Sequence, residues 1–119
     1  MLKINSLQQK VIYIYQHIDV VSHIGWLKVG ETTLKTTAAA DADGRVQVQN
    51  DAGNVRAEIL WTTEAIRNNG ETFSDRDIHR LLVTKGVERE KKHNTESKRD
   101  SEWFKIDIET VCRIFQLTT

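Results

Sequence analysis

Between Val11 and Gly30 the chain twice falls into a two-residue period, VIYIYQH and GWLKVG, joined by the seven residues Ile18 to Ile24. In strand geometry Ile12 and Ile14 point to one face and Tyr13, Tyr15 and His17 to the other, while Leu27 and Val29 oppose Trp26 and Lys28. The pattern predicts strands over 10–17 and 25–30 paired as a hairpin, with one face in the core and the other a polar surface carrying two phenols and an ammonium group. The connection is longer than a tight hairpin turn and has no Asn-Gly or Asp-Gly pair. Next comes ETTLKTTAAADADGRVQVQN, whose alanines favour helix; Gly44 interrupts it, and V-Q-V-Q at 46–49 reads equally well as a short strand. Residues 51–54 read as a turn and 55–61, VRAEILW, as a third strand.

Beyond the turn at Asn68-Asn69-Gly70 the period becomes helical. Ser74 is an N-cap candidate, Asp75 and Asp77 suit the positive end of the helix dipole, and a helix over about 75–85 buries Ile78, Leu81 and Leu82 before stopping at Gly86. Residues 88–101 hold no apolar side chain and read as a mobile loop. Residues 102–106, EWFKI, form a short strand or extended segment, and Asp107 caps a last helix that turns Ile108, Val111, Ile114 and Phe115 inward. The expected fold is a single α+β domain spanning 1–119, a central three-stranded antiparallel sheet flanked by helices.

At 119 residues and 39% hydrophobic, the chain can bury one modest core. Its 17 basic and 17 acidic side chains cancel, so binding to nucleic acid has to come from local clustering and not from a global positive field. One cysteine, Cys112, excludes an intrachain disulfide and a thiolate zinc cluster, leaving carboxylate and imidazole as metal ligands. No apolar run reaches the length of a membrane span and the first thirty residues lack the order of a signal peptide, so cytoplasmic residence without membrane insertion is expected.

Phosphodiester cleavage needs an activated oxygen nucleophile, a means of polarising the phosphate, and cationic donors for developing charge. Tyr13 and Tyr15 offer phenols, Lys28 and Arg45 cations, and Asp75, His79 and Glu102 ligands for a divalent ion. Asp75 and His79 are four apart on the expected helix and share a face. Each part also has a structural interpretation: Tyr13 as a core-edge aromatic, Arg45 as a solvated helical arginine with Arg56 as its competitor, Asp75 and His79 as a surface pair, and Glu102 as the start of a structural strand. His17, His23 and His93 stand at no ligand spacing and read as exposed.

In order along the chain, IY at Ile12–Tyr13, KVGETT from Lys28, an arginine within GRVQVQ, FSDRDIHRLL and EWFKI resemble the GIY-YIG nuclease superfamily, in the branch that has lysine at the second tyrosine and is often fused to helicase or restriction-like chains. The resemblance implies a DNA endonuclease using Mg2+ or Mn2+, with a fused or associated helicase domain as a further partner. It implies Tyr13 as the first signature tyrosine acting as base or activator, Lys28 at the second tyrosine, Gly30 as the tight turn ending the strand, and Arg45 as the phosphate-binding arginine. Asp75 stands where the family has a metal-binding glutamate, one helical turn before His79; Glu102 is either a second carboxylate near the ion or the start of a structural strand that packs Trp103 and Phe104 onto the sheet. The chain departs from the pattern at Val11, in place of the motif's first glycine, at Lys28, at the shorter Asp75, and in the longer spacing from Gly30 to Arg45. A catalytically impaired module of the same fold that binds nucleic acid or a partner domain is the alternative, and a small interaction domain a third.

Overall fold

The computed structural model describes residues 9–51, 55–91 and 101–117. The elements run β1 (Lys10–His17), β2 (Trp26–Thr33), α1 (Ala38–Asp51), β3 (Ala57–Glu64), α2 (Asp75–Thr84), β4 (Glu88–Arg89), β5 (Trp103–Lys105) and α3 (Ile108–Gln116), with a 3-10 turn at Val21–His23 in the β1–β2 connection. The fold is α+β. The expected three strands belong to a five-stranded antiparallel sheet, ordered β3-β1-β2-β5-β4. EWFKI supplies β5, and the segment expected as a loop after α2 begins with β4, where Glu88 pairs with Lys105 and Arg89 with Phe104. Composition conceals β4, because an outer strand of two residues needs no apolar side chain when its backbone is satisfied by a neighbour. The remainder of that segment, 92–100, and His93 with it, lie outside the described residues, as do 52–54 of the expected turn.

The sheet is covered on both sides. Ile12, Ile14, Leu27 and Val29 face α2 and α3, packing with Phe73, Ile78, Leu82, Phe104, Val111 and Phe115. On the opposite face Val11, Tyr13 and Tyr15 pack beneath α1 against Ala42 and Val46. The expected polar surface is therefore a second core: Tyr13 is 1% and Tyr15 2% exposed. A strand buried on both faces explains the unbroken run from Val11 to Tyr15, since both sets of alternating positions lie out of water.

The alanine-rich segment is one helix through Gly44 and through 46–49. Thr37 Oγ accepts the Ala40 N–H at 3.2 Å, and Asp41 Oδ2 accepts the N–H groups of Lys35 and Thr36 at 2.6 and 2.9 Å, so the threonine-rich lead-in satisfies the chain where the helix starts. Ala38, Ala42, Val46 and Asn50 recur at four-residue spacing along its inner side. At α2 the Ser74 N–H donates to Asp77 Oδ2 at 2.9 Å, and Gly86, at φ 84°, closes the far end with its N–H on the Val83 carbonyl. Asp107 caps α3 by accepting the Thr110 N–H at 2.7 Å.

Gly30 makes no turn: it lies within β2 opposite Tyr13. A methyl group there would stand 2.6 Å from the Tyr13 hydroxyl and 2.7 Å from its ring, so the glycine is the floor on which the tyrosine ring rests. Lys28 is paired with Tyr15 and sits diagonally from Tyr13, all on the α1 face. His17 and His23, expected in solvent, are half-buried and in contact, stacked beside Trp103. Among the described residues no helix is long and apolar enough to cross a membrane.

Candidate functional site

Beneath α1 the amide of Gln49 joins three groups. Its Oε1 accepts from the Tyr15 hydroxyl and from Lys28 Nζ, each at 3.1 Å, and its Nε2 donates to the Tyr13 hydroxyl at 2.9 Å. The ammonium group fixes the amide's orientation, because a flipped Gln49 would present donor to donor. Lys28 Nζ also lies 3.6 Å from Glu102 Oε2 and 5.7 Å from the centre of the Tyr15 ring. Burial pushes the Tyr13 phenol up to about 12, and it pushes Lys28 the opposite way, toward neutrality, against the pull of Glu102. Arg45, exposed on the same helix one turn before Gln49, acts on Tyr13, Tyr15 and Lys28 through its charge. Arg56 stands elsewhere, with Nε 3.1 Å from Asp19. Of the two arginines, Arg45 belongs with the cluster.

A second cluster forms where β5 ends. β5 pairs with Trp26, Leu27 and Lys28 only; at the next residue the Val29 N–H donates to the Glu102 carbonyl and the Val29 carbonyl accepts from His79 Nε2 at 2.6 Å. His79 is thereby a buried strut between α2 and β2, its ring 5.3 Å from Phe104 and its basicity lowered by burial. Two residues on, Glu31 Oε1 accepts the Asp75 N–H at 2.9 Å, a carboxylate at the positive end of α2. Asp75 itself is 7% exposed, more buried than the surface pair with His79 that its place in a first helical turn suggests. Burial, a hydrogen bond to Glu31 and the charges of Glu31 and Glu102 raise its carboxyl to about 8. Glu31 stays below the ordinary range: desolvation opposes this, but the hydrogen bonds from the Asp75 side chain and backbone outweigh it. The pair therefore carries one proton between two carboxyl groups at neutral pH.

The structure thus gathers Tyr13, Lys28, Arg45 and Glu102 on one side of β2, with Asp75 near enough to Glu102 and Lys28 for their charges to act on each other. It engages His79 in the core and ties Glu102 to Lys28. Sequence reasoning misses Glu31 and Gln49. The signal for Glu31 is a charge at the parity of Leu27 and Val29, the core-facing positions of β2; Gln49 carries none unless α1 is known to be continuous. Among the described residues no group of three or more histidine, cysteine or carboxylate side chains is placed to hold a metal ion. Compared with protein-family models, curated proteins and solved structures, the chain matches none.

Proposed function

We propose that this chain is a GIY-YIG-like nuclease domain that hydrolyses DNA phosphodiester bonds, with Mg2+ or Mn2+ as its cofactor and a helicase domain as a partner within the same assignment. The observation that carries the reading is the gathering, on the α1 face of β2, of a buried phenol, a partly desolvated ammonium group and an arginine on the facing helix, with the Asp75–Glu31 pair on the opposite face close enough for its charge to act on Lys28. Glu31 and Asp75 suit a hard divalent cation, which is commonly held by one or two carboxylates with water and phosphate oxygens filling the rest. Such an ion, when bound, supplies charge against the phosphate as negative charge builds on it. The proton shared by the pair is the one it would displace.

The chain's own groups divide the remaining work. Tyr13, far from ionising, is suited to donate its O–H to a phosphate oxygen, since the Gln49 amide already occupies one of its lone pairs. Lys28, an ammonium group held between Gln49 and Glu102, offers positive charge for a phosphate oxygen. Arg45 offers a fixed positive charge at the rim. The test is nicking of supercoiled plasmid with Mg2+ or Mn2+. Asp75→Asn should slow cleavage by on the order of a hundredfold, and Tyr13→Phe, which keeps the ring's packing, should also slow it. Equal rates for wild type and both variants would dismiss the site. The second reading, an impaired module that binds without cleaving, is favoured by the burial of both phenols. It predicts DNA binding with no nicking under either metal.

A further inference from the structure

At the other end of β1 the hydrogen-bond inventory of two histidines does not balance for neutral rings. His17 Nε2 lies 2.9 Å from Asn50 Oδ1, and Asn50 Nδ2 is already committed to the Val46 carbonyl at 2.8 Å, so the Asn50 oxygen accepts and His17 Nε2 carries a proton. His23 Nε2 lies 2.8 Å from Glu90 Oε2, so it too carries a proton and donates to the carboxylate. Ser101 Oγ donates to the second oxygen of Glu90 at 3.2 Å. Both remaining nitrogens are then bare lone pairs, yet they stand 2.8 Å apart. The ring centres are 4.9 Å apart, just short of that gap plus a ring radius on each side, so the two Nδ1 atoms meet nearly head-on. Two facing lone pairs at hydrogen-bond distance repel unless a cation lies between them.

We propose that His17 and His23 share a single bridging proton, forming a one-proton latch that ties the β1–β2 connection to α1 through Asn50 and to the segment after β4 through Glu90. A head-on gap of 2.8 Å suits a proton on the line of centres. It does not suit a transition metal, which needs about 2.0–2.1 Å to each nitrogen and lone pairs converging on a point off that line. Trp103 lies under both rings, at 4.5 and 4.1 Å between centroids, and holds them in register. Charges facing the pair are Glu90 and Asp19, which favour the added proton, and Lys28, which opposes it; Asp19 is itself tied to Arg56, Tyr15 packs uncharged on His17, and Asn50 is α1's neutral contact. The latch is closed only in a window of pH. Above it the bridging proton leaves, and below it a second proton sets two imidazolium N–H groups against each other.

The sign follows by linkage. In the unfolded chain each ring takes up its proton near about pH 6.5. In the folded chain the bridge favours the first proton, against the burial that weakens His17's hold on it, and like charge disfavours the second, so stability gained as pH falls through the first step is lost as pH falls through the second. The experiment is long-range 15N–1H NMR of the imidazoles in the full chain between about pH 4 and about pH 9. Two separated steps, with both Nε2 atoms protonated between them and a 15N–15N coupling across the two Nδ1 atoms, are expected. Glu90→Gln, which removes the counter-charge with little change of shape, should move the first step to lower pH. Two rings that titrate independently with no coupling overturn the proposal. So does Zn2+ or Cu2+ bound at both Nδ1 atoms in place of the proton. In thermal melts the advantage of wild type over His17→Gln should pass through a maximum within the window; a difference that does not vary with pH overturns it as well.

Discussion

Single residues at this site are legible as chemistry only once their neighbours are known. Tyr13 is an ordinary strand tyrosine in sequence; what makes it unusual is that Gly30 lies beneath its ring and Gln49 holds its hydroxyl. Gly30→Ala puts a methyl group 2.6 Å from that hydroxyl, in a place where α1 and β2 leave the ring no room to move. The substitution should cost about 1–3 kcal/mol, as overpacking does, and chemical denaturation should show it as a lower midpoint at unchanged slope. In a Tyr13→Leu background, where the ring is gone, the same methyl should cost less; equal costs in both backgrounds would show that the contact is not what limits position 30.

Among the elements, α1 is the one whose role the pattern of apolar residues hides. Its inner side is made of Ala38, Ala42 and Val46, with Gln49 and Asn50 reaching the strands by hydrogen bonds, so it offers no broad apolar stripe to a reader of the sequence. Gly44 sits exposed within it, has no positive φ, and leaves open space for at least 4 Å around the place an alanine methyl would take. Gly44→Ala should therefore stabilise the chain by roughly 0.5–1 kcal/mol, because alanine gives up less backbone entropy on forming helix. Thermal unfolding should show a rise of a few degrees; a fall would mean that the glycine serves a contact outside the chain. α2 and α3, by contrast, announce themselves through a helical apolar period and capping residues, and their ends fall at Ser74, Gly86 and Asp107 as expected.

For the whole molecule, the Asp75–Glu31 pair makes stability depend on pH. Asp75 ionises near its ordinary value of 3.8 when unfolded and at about 8 when folded, so between those values the native state holds the extra proton. The folded state is then favoured at the acid side of the interval and loses stability as pH rises through it. Glu31, held below its ordinary value, works in the opposite sense and only at lower pH: its contribution is present above 4.5 and lost as pH falls through its folded value. Asp75→Asn imitates the protonated acid, since its amide can still donate to Glu31. Its melting temperature should match wild type near pH 3.8 and below, and exceed it by an amount that grows toward about pH 8, roughly 4 °C for each kcal/mol. Added Mg2+ should raise the melting temperature of wild type more at the alkaline end, where less proton has to be displaced, and should leave Asp75→Asn nearly unmoved. Parallel curves for the two proteins would rule out the shared proton.

The sequence by itself determined the antiparallel hairpin, the α+β class, the two amphipathic helices and the identity of Tyr13, Lys28, Arg45 and Asp75 as candidates, because period, capping and charge are local properties. Only the tertiary structure decided that both faces of the sheet are covered, that Glu88–Arg89 and Trp103–Lys105 extend it to five strands, that Glu31 and Gln49 join the site, and that His17 meets His23. Those outcomes depend on which segments lie side by side, and pairing between residues tens of positions apart leaves no mark on the period of either partner.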